Sequence, residues 1–146
     1  MLTERISVDD IQIGIQAKDW EDAIIKTSEI LLNKKKIEQG YIDAIIEALK
    51  ENGPYIVIRK HVALAHARPE FGAKALGLTF STMNPPISFG AGSLDPIKLI
   101  ITLSATNEDT HIDLMGELAE ILLDNEKVEA LFNAKSKDEF FDLMKS

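Results

Sequence analysis

The chain contains no cysteine. Disulfide bridges, thiolate metal sites and cysteine nucleophiles are therefore excluded. That absence suits a cytoplasmic protein, which is our expectation. Long apolar runs are missing as well. The longest, Leu99 to Leu103, falls far short of the roughly 20 residues that cross a bilayer. Met1 to Ile6 lacks the apolar core of a secretory signal, so no targeting segment and no direct membrane insertion are expected. Positive charge is scarce. The formal net charge is −8, which disfavours nucleic acid as a partner. Only three arginines occur, Arg5, Arg59 and Arg68, and two of them flank one short histidine-bearing stretch.

What is present reads as an ordinary globular chain. Its 146 residues, 45% hydrophobic and 27% charged, suit one domain over 1–146 with a real core. Asp19 predicts the cap of a helix over Trp20–Asn33, with Trp20, Ile24, Thr27 and Leu31 on one stripe. Lys34 to Lys36 close it at the negative end of its dipole. A second helix over Gln39–Glu51 buries Ile42, Ile45, Ile46 and Leu49, and Asn52-Gly53-Pro54 stops it. Ile11–Ile15 reads as a short strand or a turn. Tyr55–Ile58, Val62–Ala65, Leu76–Ser81 and Ile97–Ser104 read as strands, the last buried and central because it is apolar nearly throughout. Met83–Pro96 reads as loop, since it carries three prolines and two glycines. A helix starts near Thr106 to Asp109 and runs to about Leu123, with His111, Met115, Leu118 and Leu122 on one face. Helices over Glu126–Phe132 and after the capping box Ser136 to Glu139 complete the chain. The order predicts an α/β fold, a mixed β-sheet flanked by helices on both faces.

The stretch His61 to Ala73 carries the chemistry. It holds two of the three histidines. An apolar strand leads into His66, and Arg68, Pro69 and Gly72 then break the regular structure. Arg59, Lys60, Arg68 and Lys74 form a basic island there on an acidic chain, suited to an anion such as a phosphoryl group, or else are simply solvated charges. His111, in a first helical turn, adds a second imidazole beside unpaired backbone N–H groups. The helix field disfavours its protonation, so it is expected as a neutral hydrogen-bond donor. Two histidines, an arginine fork and a helix N-terminus suit phosphoryl transfer through a phosphohistidine, which is mostly positioning and electrostatic stabilisation. From spacing alone a structural role for His66 stays open. Zinc is disfavoured, because His61 and His66, five apart, point to different faces on strand or helix. No Gly-x-Ser-x-Gly elbow supports a hydrolase, and Gly90-Ala91-Gly92 lacks the rest of a dinucleotide fingerprint. No cofactor and no metal are expected. Phe71, Phe89 and Met83 are expected either as an apolar surface around His66 or as core and loop packing.

The stretch from Ala65 through His66, Arg68, Pro69 and Glu70 to Gly72 resembles the active-site segment of enzyme IIA domains of the phosphoenolpyruvate-dependent sugar phosphotransferase system, mannitol/fructose class, and within it most the ascorbate-type members. Pro86 to Gly90, Asp95 to Leu99, Leu103 to Ala105 and then His111 follow in matching order. The resemblance implies the mannitol/fructose-type sandwich. It implies His66 as phosphoacceptor from the carrier HPr, and transfer onward to a IIB component, a cysteine in ascorbate-type systems, served by a membrane IIC. It implies His111 as the imidazole that holds the phosphoryl oxygens or orients His66, and Arg68 as a charge neutraliser. The other function it allows is a regulatory or degenerate IIA-like domain that controls or binds a protein partner without sugar flux. The chain departs from the pattern at two places. Members commonly have Gly and Pro where His61 and Ala65 stand, and mannitol-type members carry a helix arginine where Ala48 stands.

Overall fold

The computed structural model describes residues 2–146. Five strands form one mixed sheet: β1 (Ile11–Ile15), β2 (Val57–Arg59), β3 (Val62–Ala65), β4 (Gly77–Ile87) and β5 (Ile97–Ser104), in the spatial order β1-β4-β5-β3-β2. β1 runs parallel to β4 and β3 parallel to β5, while β4–β5 and β2–β3 are antiparallel. Helices α1 (Trp20–Asn33) and α2 (Gln39–Asn52) cover one face. Helices α3 (Glu108–Leu122), α4 (Asn125–Phe132) and α5 (Lys137–Lys145) cover the other. The expected mixed sheet with helices on both faces is what the chain forms.

Strand alternation divides the core between these layers. In β3, Val62 and Leu64 pack toward α3 and α4, and Ala63 and Ala65 toward α1 and α2. β5 is buried on both faces, with Leu99, Ile101 and Leu103 on one side and Ile100 on the other. That accounts for its continuous apolar run. The helices begin where competent caps stand. Asp19, Asn107, Asp124 and Ser136 each accept a hydrogen bond from a backbone N–H three residues on. Gly53, at φ +77°, ends α2 as expected. At Gly77 space is tight: a Cβ there would lie 2.6 Å from Leu31 Cδ2 and 2.8 Å from Ser104 Oγ, so a larger residue needs those side chains to shift.

Two strand boundaries differ from the sequence reading. Tyr55–Ile58 is not a strand throughout. The turn begun at Gly53 continues, with the Tyr55 N–H donating to the Gly53 carbonyl and the Val57 N–H to the Pro54 carbonyl, so β2 starts only at Val57. Conversely, β4 does not stop at Ser81. It runs through Pro85 and Pro86 to Ile87, inside the expected loop. The prolines lack donors, and they fall where β4–β5 pairing is interrupted between Thr82 and Ile87, so no ladder bond is lost. Met83 meanwhile registers with Ile15 of β1 on the other side.

Candidate functional site

Parallel pairing brings the two histidine-bearing segments together. β3 and β5 run side by side, with Ala65 opposite Thr102, so both chains leave the sheet at one edge. His66 follows β3 directly. β5 leads through Ala105 and Thr106 to the Asn107 cap and to His111 in the first turn of α3. Ligand sites commonly form beyond the carboxyl ends of such strands. Here a cavity of about 690 Å³ opens there, lined by His66, Arg68, Tyr55, Asn107 and His111, with Ala44 and Ala48 of α2 in its wall.

Within it, the His66 and His111 ring centroids lie 6.0 Å apart at an interplanar angle of 50°. Tyr55 meets His66 edge-on at 6.1 Å. The His66 Nδ1–H donates to the Leu64 carbonyl oxygen at 2.8 Å. A carbonyl can only accept, so this bond fixes the tautomer and leaves Nε2 as the nitrogen with a free lone pair. Burial, and then the nearby His66 charge, hold His111 below the usual histidine range. The direction matches the neutral imidazole expected from sequence, though desolvation is its main physical cause. The N–H groups at the start of α3 add an electropositive rim.

The other basic residues are more scattered than the sequence suggests. Arg68 is mostly exposed on the cavity rim, its Nε 3.5 Å from Glu70 Oε2. Arg59 does not join it. Its Nη1 donates to the Leu122 carbonyl at 2.6 Å, satisfying an orphan acceptor at the C-terminus of α3. Lys74 pairs with Glu38 at 3.7 Å. The basic island is thus not one patch, because Arg59, Arg68 and Lys74 each find a separate acceptor. His61 is at the far end of β3, where its Nδ1–H donates to the Pro96 carbonyl and its ring stands edge-on to Phe132. Of the apolar candidates, Phe71 is half exposed and lines the cavity, whereas Met83 and Phe89 are buried with the α1–α2 layer. Sequence reasoning missed Tyr55, read as a strand residue, and Tyr41. Tyr41 continues the Ile45 and Leu49 stripe of α2 toward its N-terminus, and a phenol on a core stripe signals a buried hydroxyl that needs partners.

The pattern of the family described as phosphoenolpyruvate-dependent sugar phosphotransferase system, EIIA 2, matches residues 4–146. The chain belongs to this family. The mannitol-specific cryptic phosphotransferase enzyme IIA component of Escherichia coli K12 is 38% identical over 134 residues, covering 92% of this chain and 90% of that protein. The ascorbate-specific EIIA component of Shigella boydii is 29% identical over 135 residues, covering 92% and 88%. The solution structure of the E. coli mannitol-specific cryptic IIA superposes with a TM-score of 0.89 at 36% identity, covering 98% of this chain and 97% of that one. The E. coli mannitol IIA in complex with phosphorylated mannitol IIB gives 0.83 at 25% identity, covering 96% of each. Membership carries a phosphocarrier role in a sugar phosphotransferase system, as a transferase component. Among the described residues no helix is long and apolar enough to cross a membrane. Both departures from the IIA pattern have a structural counterpart. His61, where members have glycine, adopts φ +72°, the left-handed conformation that glycine favours. Ala48, where an arginine is expected, leaves the α2 wall of the cavity without a cation.

Proposed function

We propose that this IIA chain, acting as one domain over 1–146 in the cytoplasm, accepts a phosphoryl group on His66 Nε2 from phospho-HPr and passes it to a cysteine-bearing IIB component, with IIC selecting the sugar. The observation that carries this reading is the Nδ1–H bond to the Leu64 carbonyl, which leaves the Nε2 lone pair available inside a cavity shared with His111. The Nε2 lone pair attacks phosphorus in line. The new N–P bond forms as the donor's N–P bond breaks, and the donor imidazole leaves with that electron pair. Phosphorylated His66 then holds its Nδ1 proton and a positive ring, which the Leu64 carbonyl stabilises. His111, neutral near pH 7, donates a hydrogen bond to a phosphoryl oxygen. Arg68, once free of Glu70, neutralises charge from the rim. No cofactor or metal takes part in these steps. A IIB partner is supported by the neighbouring structure of a mannitol IIA with phosphorylated IIB.

A second reading rests on the uncharged Ala48 wall and the Arg68–Glu70 pair: a regulatory or degenerate module that binds its protein partner without carrying phosphate. Incubation with phosphoenolpyruvate, enzyme I and HPr, followed by intact mass, separates the two. One acid-labile phosphoryl group, lost in His66→Ala, supports the carrier. No group on the wild type, with HPr itself phosphorylated, overturns it in favour of the second reading.

A further inference from the structure

One buried hydroxyl joins the two segments that carry the histidines. Tyr41 stands in the first turn of α2 and is 1% exposed. Its oxygen accepts the Ala67 N–H at 3.0 Å, and its own O–H donates to the Leu103 carbonyl at 2.7 Å. Ala67 is the residue after His66. Leu103 lies near the end of β5, which leads to the Asn107 cap and His111. The β3–β5 ladder ends at Ala65 opposite Thr102, so the phenol takes over just beyond the ladder on both strands.

The turn after His66 is seated against the same part of α2. The Glu38 N–H donates to the Gly72 carbonyl at 2.9 Å. Gly72, at φ +133°, comes so close that a Cβ there would lie 3.3 Å from the Tyr41 nitrogen. Tyr41 is therefore held at its backbone by the turn after His66 and at its hydroxyl by the Ala67 amide and the Leu103 carbonyl. Burial pushes its pKa up, so it remains a protonated donor to Leu103.

We propose that Tyr41 is a positioning residue for phosphoryl transfer: its hydroxyl clamps the His66 segment to the His111 segment and sets the gap between the two imidazoles. The effect on transfer rests on His66 being the phosphoacceptor, whereas the clamp itself is a property of the unphosphorylated protein. A shift of an ångström between the attacking nitrogen and its supporting donor is enough to slow an in-line displacement strongly.

Tyr41→Phe keeps the ring and removes only the oxygen. The rate at saturating phospho-HPr is expected to fall about tenfold to a hundredfold, with KM for phospho-HPr within about twofold of wild type. The His111 imidazole, followed by NMR titration, is expected to move up toward the ordinary histidine value as its contact with His66 loosens. The other titratable or charged groups of the cavity, Glu70, Glu108, Arg68 and Tyr55, are unchanged in this variant. Val128→Ala, on the buried face of α4 and outside the cavity, serves as a stability control and is expected to leave both readouts in place. Transfer within twofold of wild type together with unmoved histidine titrations would overturn the clamp. If Tyr41→Phe does not fold, hydrogen exchange on the wild type decides: a protected Ala67 amide supports the clamp, and one exchanging at the rate of an open chain rejects it. Should the wild type take no phosphoryl group at all, the carrier reading falls, while the titration and exchange results still judge the clamp.

Discussion

The two ends of β3 carry the same side chain in two settings. At the leading end His61 donates Nδ1–H to the Pro96 carbonyl, and at the trailing end His66 donates Nδ1–H to the Leu64 carbonyl. Each backbone acceptor selects the same tautomer. What differs is the surroundings. His61 stands against the Phe132 ring, in a left-handed backbone conformation. His66 opens into a cavity with a second imidazole and the N-terminus of α3. A prepared tautomer is therefore common to both ends. Of the two ends, the trailing one alone has a second imidazole and a helix N-terminus beside it, because two parallel strands deliver their chains to one edge.

The largest expected effect breaks the comparison outright. His66→Ala removes the phosphoryl group completely, whereas His61→Ala still takes one group per chain, read by intact mass. Next is the second imidazole. His111→Ala lowers the transfer rate about a hundredfold, the usual scale for losing one aligned donor, while phosphohistidine still forms on long incubation.

The depressed His111 pKa has a consequence for stability. The unfolded chain takes up its proton at the ordinary value, near 6.5, before the folded chain does. Between the folded value and 6.5 the unfolded state holds more protons, so stability falls as pH drops through that window. His111→Gln removes the titrating imidazole. Its melting temperature is expected to fall less than that of wild type between pH 7.5 and 5.5. An equal fall in both proteins would reject the account of His111.

Smaller effects sharpen the contrast. His61→Gly is expected to be more stable than His61→Ala by about 1 kcal/mol in chemical denaturation, because only glycine relieves the left-handed strain. Arg68→Ala is expected to change stability by less than about 0.5 kcal/mol, since its pair with Glu70 is solvent-exposed. Its effect on transfer should be smaller than that of His111→Ala.

Features governed by local chemistry were legible in the sequence. Asp19 and Ser136 cap helices because a short polar side chain reaches a backbone N–H three residues on. β5 was legible because burial on both faces leaves no room for polar alternation. Features governed by distant partners were not. Pro85 and Pro86 read as loop, yet they sit in β4 because neighbouring β5 leaves that stretch unpaired. Arg59 looked like part of an anion patch, but the end of α3 claims it. The same limit holds at the site. His66 at a strand end and His111 in a first helical turn stood out as candidates, with roles given by the family resemblance, while Tyr41 depends on carbonyl and amide groups from two other segments, which no local pattern announces.

The most direct measurement is NMR of the chain, labelled with ¹⁵N at its histidine side chains, after phosphorylation by phospho-HPr. Transfer to His66 gives one phosphorus–nitrogen coupling, at Nε2, with Nδ1 protonated and with His61 unchanged. A phosphoryl group on His66 Nδ1, on His61 or on His111 would contradict that assignment.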